Sequence, residues 1–273
     1  MGVVEKPRLV ASDIDGTLLA LEYRVTERTA AVVRRVIASD TPFVLVSGRP
    51  PRWIPNIAEQ VGATGFAVCA NGAALYDIGA DRIVWQRGLE PVQLNELASV
   101  LHEVIPGCSL AAERVGASAF DDSVRAFVAE PTYDHPWAAS DEFEVPLAEV
   151  LGHHAVKLLA RHSSMTSEEM ALAAEAVLGD EIMVTFSTND GLLELSAAGV
   201  TKATGLADVA ERLGVERADV VAFGDMPNDV PMLRWAGHGV AMGNAHADAL
   251  AVADEVTGLH TDDGVALVLE RWF

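Results

Sequence analysis

Short apolar runs alternate along this chain with stretches whose apolar positions recur at helical spacing. Arg8–Ser12 reads as a strand, and Glu27–Ala38 as an amphipathic helix with Thr26 as its N-cap. Pro42–Val46 is a second strand, Trp53–Val61 a helix, and Gly65–Ala70 a third strand that ends at Asn71-Gly72. This βαβαβ rhythm predicts a parallel sheet with right-handed crossovers. The rhythm returns late in the chain. Lys202–Leu213 reads as helix, Asp219–Phe223 as strand and Val230–Ala236 as a short helix with Pro231 in its first turn. Gly239–Met242 and His246–Ala253 follow as strand and helix.

The middle of the chain differs. Strand-like pieces (Ile83–Gln86, Val156–Ala160, Ile182–Ser187) mix there with helical ones (Val92–Val104, Ser167–Leu178). Thr188-Asn189-Asp190-Gly191 reads as a hairpin turn leading into Leu192–Leu195. The expectation is an α/β protein: a doubly wound, Rossmann-like parallel sheet in residues 1–80 and 190–273, with an α+β domain inserted at 81–189.

At the end of the first strand stands Asp13-Ile14-Asp15-Gly16-Thr17. In extended backbone, residues two apart face the same way. Asp13 and Asp15 are therefore expected to point at one spot, where their repulsion calls for a cation or a shared proton. Gly16 allows a sharp turn there. Asp-x-Asp-Gly also occurs in calcium loops, but Arg24 occupies the place of the Glu that an EF-hand needs.

Composition narrows the choice of partner. Forty acidic against nineteen basic residues give a formal net charge of -21, which repels nucleic acid and anionic lipid. A small phosphorylated molecule is still admissible, because a local metal or lysine can reverse the field inside a pocket. No run is long and apolar enough to span a bilayer, and Met1–Arg8 does not resemble a signal peptide. The two cysteines, Cys69 and Cys108, sit in apolar surroundings outside any CxxC pair, which suits buried thiols and a cytoplasmic setting. Nothing in the sequence fixes an oligomeric state.

Three further segments join the acidic pair. Ser47-Gly48-Arg49 follows the second strand, Lys202 opens a helix, and Gly224-Asp225-Met226-Pro227-Asn228-Asp229 follows the strand ending at Phe223. In an open parallel sheet, ligands gather beyond the carboxyl ends of the strands, so these segments are expected to meet there. In this order they resemble the motif set of the haloacid dehalogenase superfamily, and more closely its Cof-type sugar-phosphatase branch (subclass IIB). Asn71-Gly72-Ala73, Ala241-Met242-Gly243-Asn244-Ala245 and Asp263-Gly264-Val265-Ala266 extend the resemblance towards the C-terminus. Ala203 stands where that family often has glycine.

The resemblance implies a phosphatase acting on small phosphate esters, with Mg²⁺ as cofactor. It makes Asp13 the nucleophile that forms an aspartyl phosphate and Asp15 the general acid and base. It places the metal on Asp13, the backbone carbonyl of Asp15, and Asp225, with Asp229 holding the site and Lys202. Ser47, Gly48, Lys202, Arg49, Asn71 and Asn228 form the expected phosphate- and substrate-binding set. Arg49 could equally brace the loop. The inserted domain would act as a cap that selects substrate. A phosphosugar mutase sharing the phosphoenzyme is the nearest alternative, and a non-catalytic sensor of phosphorylated ligands a more distant one.

Other candidates read as structural. His153-His154 suits a polar loop better than a metal pair. Lys157 is expected on a strand surface. The five tryptophans (Trp53, Trp85, Trp137, Trp235, Trp272) are too scattered for a stacking platform.

Overall fold

The computed structural model describes residues 5–135 and 142–273; Met1–Val4 and Trp137 lie outside them. Contacts divide the chain into two units. One comprises Met1–Val84 and Thr201–Phe273, the other Trp85–Val200.

The first unit carries an eight-stranded sheet, of which one edge strand runs across the unit boundary. Its strands are β1 (Leu9–Ser12), β2 (Phe43–Val46), β3 (Phe66–Cys69), β4 (Ala74–Asp77) and β5 (Arg82–Gln86). After the second unit come β12 (Val220–Gly224), β13 (His238–Ala241) and β14 (Glu255–Val256). The order across the sheet is β14-β13-β12-β1-β2-β3-β4-β5. Pairing is parallel from β14 to β3, and β4 turns back antiparallel to β3. Strands β1, β2 and β12 are buried along their whole length, as expected of parallel strands covered on both faces. Chain order runs outward from β1 in one direction and from β12 in the other. The direction of winding therefore reverses between β1 and β12, where an open α/β sheet leaves a crevice at its strand ends.

The helices of this unit form where their caps predict. Thr26 Oγ1 accepts the Thr29 N–H at 3.1 Å, and Glu27–Ala38 turns Ala30, Val32, Val33 and Val36 inward. The side chain of Asp263 fixes the same helix start, accepting from the hydroxyls of Thr26 and Thr29. Thr201 and Thr204 form a reciprocal cap at the start of Lys202–Leu213.

The second unit is a six-stranded sheet in the order β10-β11-β9-β6-β7-β8. These are β6 (Ser109–Glu113), β7 (Phe127–Ala129), β8 (Glu142–Glu144), β9 (Lys157–Arg161), β10 (Ile182–Thr185) and β11 (Leu192–Ala197). Helix Ser167–Leu178 packs against β10, β11 and the helix Pro91–Val104. An apolar cluster of Ala111, Phe127, Ala129, Tyr133, Leu159 and Leu192 fills part of the sheet.

The expected division at 80/81 and 189/190 differs from the observed one at Val84/Trp85 and Val200/Thr201. The reason is β11. It pairs antiparallel with both β10 and β9, so Leu192–Ala197 completes the inserted sheet instead of opening the return to the core. Lys157 is also not a surface lysine. It is buried and ion-paired with buried Glu194, whose other oxygen accepts from Ser187 Oγ at 2.6 Å. His153 and His154 lie in a turn before β9 and, among the described residues, join no metal-ligand cluster.

Candidate active site

The crevice at the reversal point is built from the ends of β1 and β12. Asp13 follows β1, and its N–H donates to Phe223 O on β12 at 2.9 Å. Asp225 follows β12, and His246 N–H donates to its backbone carbonyl at 2.7 Å. Four residues later, Asp229 folds back in the turn Pro227–Asp229, and its Oδ2 accepts the N–H groups of Asp225 and Met226 at 2.9 and 3.0 Å. Lys202 enters from the start of its helix. Its Nζ donates to Asp13 Oδ1 at 2.5 Å and to Asp229 Oδ1 at 2.6 Å. Lys202 is 1% exposed and Asp229 0%, so these ion pairs are sealed from water.

Two glycines set the spacing. Gly16 has φ +74°, and a Cβ there would lie 2.3 Å from Asp225 Oδ2; its absence lets the β1 turn close onto the β12 carboxylate. Gly72 has φ +102°, and a Cβ there would lie 2.0 Å from the carbonyl oxygen of Thr201, the residue that caps the Lys202 helix. Thr17 Oγ1 donates to Asp225 Oδ1 at 2.9 Å, and Asn244 Nδ2 donates to Gly16 O at 2.9 Å. Thr17 and Asn244 thus hold the two sides of the crevice together. Both stand inside the motifs quoted above, but no spacing rule gives either a role.

The acidic pair after β1 does not act as one unit. Asp13 is buried among Asp225, Asp229 and Lys202, whereas the Asp15 side chain is half exposed and held by Arg49. The chain leaves the extended conformation straight after Asp13 and turns through Ile14–Leu18, so residue-two alternation ends there. Arg49 grips Asp15 with both arms, Nε to Oδ2 at 2.7 Å and Nη2 to Oδ1 at 2.6 Å.

Ser47 is buried beside the crevice, and its Oγ accepts the Arg49 N–H at 3.0 Å across Gly48. The Asn71 N–H donates to Ser47 O and the Ala70 N–H to Arg49 O, so the β2 and β3 loops are tied together. Asn71 Oδ1 accepts from Asn228 Nδ2 at 3.1 Å. The predicted site residues other than Lys202 thus follow the ends of β1, β2, β3 and β12, and Lys202 reaches Asp13 from a helix start.

Electrostatics mark the centre of the site. Ligand oxygens of Asp13, Asp225 and Asp229 all lie within 4.8 Å of one another. Burial pushes the Asp13 carboxyl well above its ordinary 3.8; Asp229 adds to the rise and Lys202 opposes it. Burial, and then Asp229, raises Asp225 from 3.8 to about 7. Burial alone would lower Lys202, but Asp13 and Asp229 outweigh it and raise its pKa. One lysine among three buried carboxylates leaves uncompensated negative charge. Asn228 Oδ1 is also buried there with no hydrogen-bond partner among the described residues. This all-oxygen set fits a hard divalent cation. Asp13, Asp225 and Asn228 have oxygens to offer it. Asp229 belongs to the same cluster, and its two oxygens also accept from Lys202 and from backbone N–H groups, so it holds the lysine in place as well.

The model of the haloacid dehalogenase-like hydrolase family matches residues 10–269, and the chain belongs to that family. A Bacillus subtilis protein named 5-amino-6-(5-phospho-D-ribitylamino)uracil phosphatase YitU is 30% identical over 275 residues, covering 98% of each chain. A Serratia proteamaculans protein named HMP-PP phosphatase is 28% identical, covering 97% of this chain and 95% of its own. The solved structure of a subclass IIB sugar phosphatase has the same fold, with a TM-score of 0.77 at 20% identity, over 97% of this chain and 98% of the other.

Proposed function

We propose that this protein is a Mg²⁺-dependent phosphatase of small phosphorylated metabolites, with sugar phosphates and related phosphorylated polyols as the leading class. The observation that carries this reading is the buried bridge from Lys202 to Asp13 and Asp229, beside Asp225. It supplies a nucleophile, a fixed positive charge and an acidic cradle for a cation at one strand end. The names of the two phosphatase relatives support the reaction class, and they name two different substrates.

The residues divide the work. Asp13 attacks phosphorus, forming an aspartyl phosphate as the P–O bond to the leaving group breaks. Lys202 lies against Asp13 and neutralises charge on the transferring group. Ser47 and the amides around Gly48 bind phosphoryl oxygens, as convergent N–H groups do for anions. Asp15 protonates the leaving oxygen and then takes a proton from the water that opens the phosphoenzyme. Asp13, Asp225 and the Asp15 carbonyl would hold Mg²⁺, which supplies charge neutralisation on the phosphoryl oxygens. The buried free thiols Cys69 and Cys108 fit a cytoplasmic setting.

The test is phosphate release from a panel of phosphorylated sugars, polyols and phosphopeptides, with Mg²⁺ or with EDTA. Release from the small esters, abolished by EDTA and by Asp13→Asn, is the expected result. Full activity of Asp13→Asn would overturn the nucleophile assignment. Isomerised sugar phosphate without free phosphate would replace a phosphatase with a mutase.

A further inference from the structure

We propose that Arg49 is a positioning residue for proton transfer: its guanidinium fork holds the Asp15 carboxyl in one orientation, ready for the leaving group. The proposal rests on the phosphatase reading above. It separates Arg49 from the phosphate-binding set in which its motif would place it.

The geometry supports it in three ways. First, Nε and Nη2 meet the two oxygens of Asp15 at 2.7 and 2.6 Å, the planar fork that arginine forms and lysine cannot. Second, Arg49 is built to stay in place. Its N–H donates to Ser47 Oγ, and its carbonyl accepts from Ala70 N–H. Its guanidinium carbon lies 5.9 and 6.0 Å from the ring centroids of Tyr23 and Trp53. Third, Asp15 depends on it. The Asp15 side chain is 49% exposed, and among the described residues Arg49 is the partner recorded for it. A half-exposed aspartate without that fork would sample several rotamers.

The chemistry gives the contact a purpose. In the first step the Asp13–phosphorus bond forms, the bond from phosphorus to the leaving oxygen breaks, and the Asp15 proton passes to that oxygen. In the second, water oxygen bonds to phosphorus, the Asp13–phosphorus bond breaks, and the water proton returns to Asp15. Arg49 occupies one side of each carboxyl oxygen, so the outer side is left for the travelling proton. A carboxyl locked in one orientation by the fork reaches the leaving oxygen without a search through rotamers, which is how positioning lowers a barrier.

The experiment compares substrates that do and do not need the proton. p-Nitrophenolate leaves without one; an alkoxide, as from a sugar phosphate, does not. With Mg²⁺ present, kcat/KM reports transfer to Asp13. Arg49→Lys and Arg49→Met are expected to lower it about 100-fold or more for an alkyl phosphate, in the range of general-acid effects, and by less than about tenfold for p-nitrophenyl phosphate. Asp15→Asn should show the same asymmetry, and Asp15→Asn/Arg49→Met should cost little more than Asp15→Asn alone. Arg49→Lys keeps the charge, so it reads the lost fork even if Arg49→Met folds poorly. Equal losses on both substrates, with weakened inhibition by inorganic phosphate, would overturn the proposal and make Arg49 a phosphoryl ligand. Equal losses with a lowered melting temperature would reduce it to a structural brace. Wild-type protein that releases phosphate from neither substrate would defeat the phosphatase reading itself.

Discussion

Removing divalent metal should make this protein less stable as the pH rises from about 5 to 8. Asp225 moves from 3.8 to about 7 on folding, so between those values the native chain binds a proton that the unfolded chain has released. Stability falls with pH wherever the folded state holds the extra proton. The stabilisation is present below the unfolded value and is gone once the folded value is passed. For Asp225 the part lost between pH 5 and 7, two pH units at about 1.4 kcal/mol each, is about 3 kcal/mol. Asp13 shifts in the same direction and deepens the fall. At roughly 2–4 °C per kcal/mol, the melting temperature should drop by about 10 °C across this range.

Mg²⁺ should reverse the trend. A cation that binds the native state at a hundredfold excess over its dissociation constant adds about 2.7 kcal/mol. Its ligands must be deprotonated, so it should stabilise little at pH 5 and strongly at pH 8. The assay is thermal unfolding in EDTA and in Mg²⁺ at both pH values, for wild type and Asp225→Asn. The amide keeps an oxygen for the Thr17 hydroxyl but has no proton to lose. It therefore separates the Asp225 contribution from the general self-repulsion of a chain of net charge -21. A metal-free melting temperature that stays level or rises from pH 5 to 8 would refute the reasoning. So would an Asp225→Asn variant with the same slope as wild type.

Other predictions follow from the same contacts. Lys202→Met should leave Asp13 and Asp229 facing each other unneutralised, costing about 3–5 kcal/mol in thermal or denaturant unfolding and eliminating phosphate release. Gly16→Ala combines positive φ with a Cβ 2.3 Å from Asp225 Oδ2, so it should displace that carboxylate and weaken Mg²⁺ affinity at least about tenfold, read by calorimetric titration. In the second unit, Lys157→Met or Glu194→Leu alone should cost about 3–5 kcal/mol, because each breaks a buried ion pair by removing one partner. The double variant should recover most of that loss, as a double-mutant cycle in urea would show.

The core of the fold was legible because its signals are local. Apolar runs mark β1, β2 and β3, closed by Asp13, by Ser47-Gly48 and by Asn71-Gly72, and Thr26 announces the helix it caps. Helices Glu27–Ala38, Ser167–Leu178 and Lys202–Leu213 have the bounds their periodicity predicts. The parts that escaped depend on pairing. Ala74–Asp77 carries too little alternation to read as a strand, yet it is held by register against β3. Val252 and Asp254 gave no hint of the two-residue strand Glu255–Val256, which exists through its pairing with β13.

The site divides along the same line. Asp13, Lys202, Asp225 and Asp229 could be named because each sits beside a strand end or helix start that the sequence marks. How their side chains sort themselves could not, because the choice of partner is decided by bonds across long stretches of chain. Lys202 takes Asp13 across 189 positions, and this leaves Asp15 to Arg49 across 34. An alternation rule sends both aspartates to one place, but two separate cations are available. With Lys202 sealed inside and Arg49 at the rim, each aspartate ends next to its own positive charge. In the proposed function, that division assigns the buried carboxylate to nucleophilic attack and the water-facing one to carrying the proton. Lys157 and Glu194 show the same limit in the second sheet. Each looks like a solvated strand residue until β9 and β11 pair, and the register then turns two apparent surface charges into one buried pair.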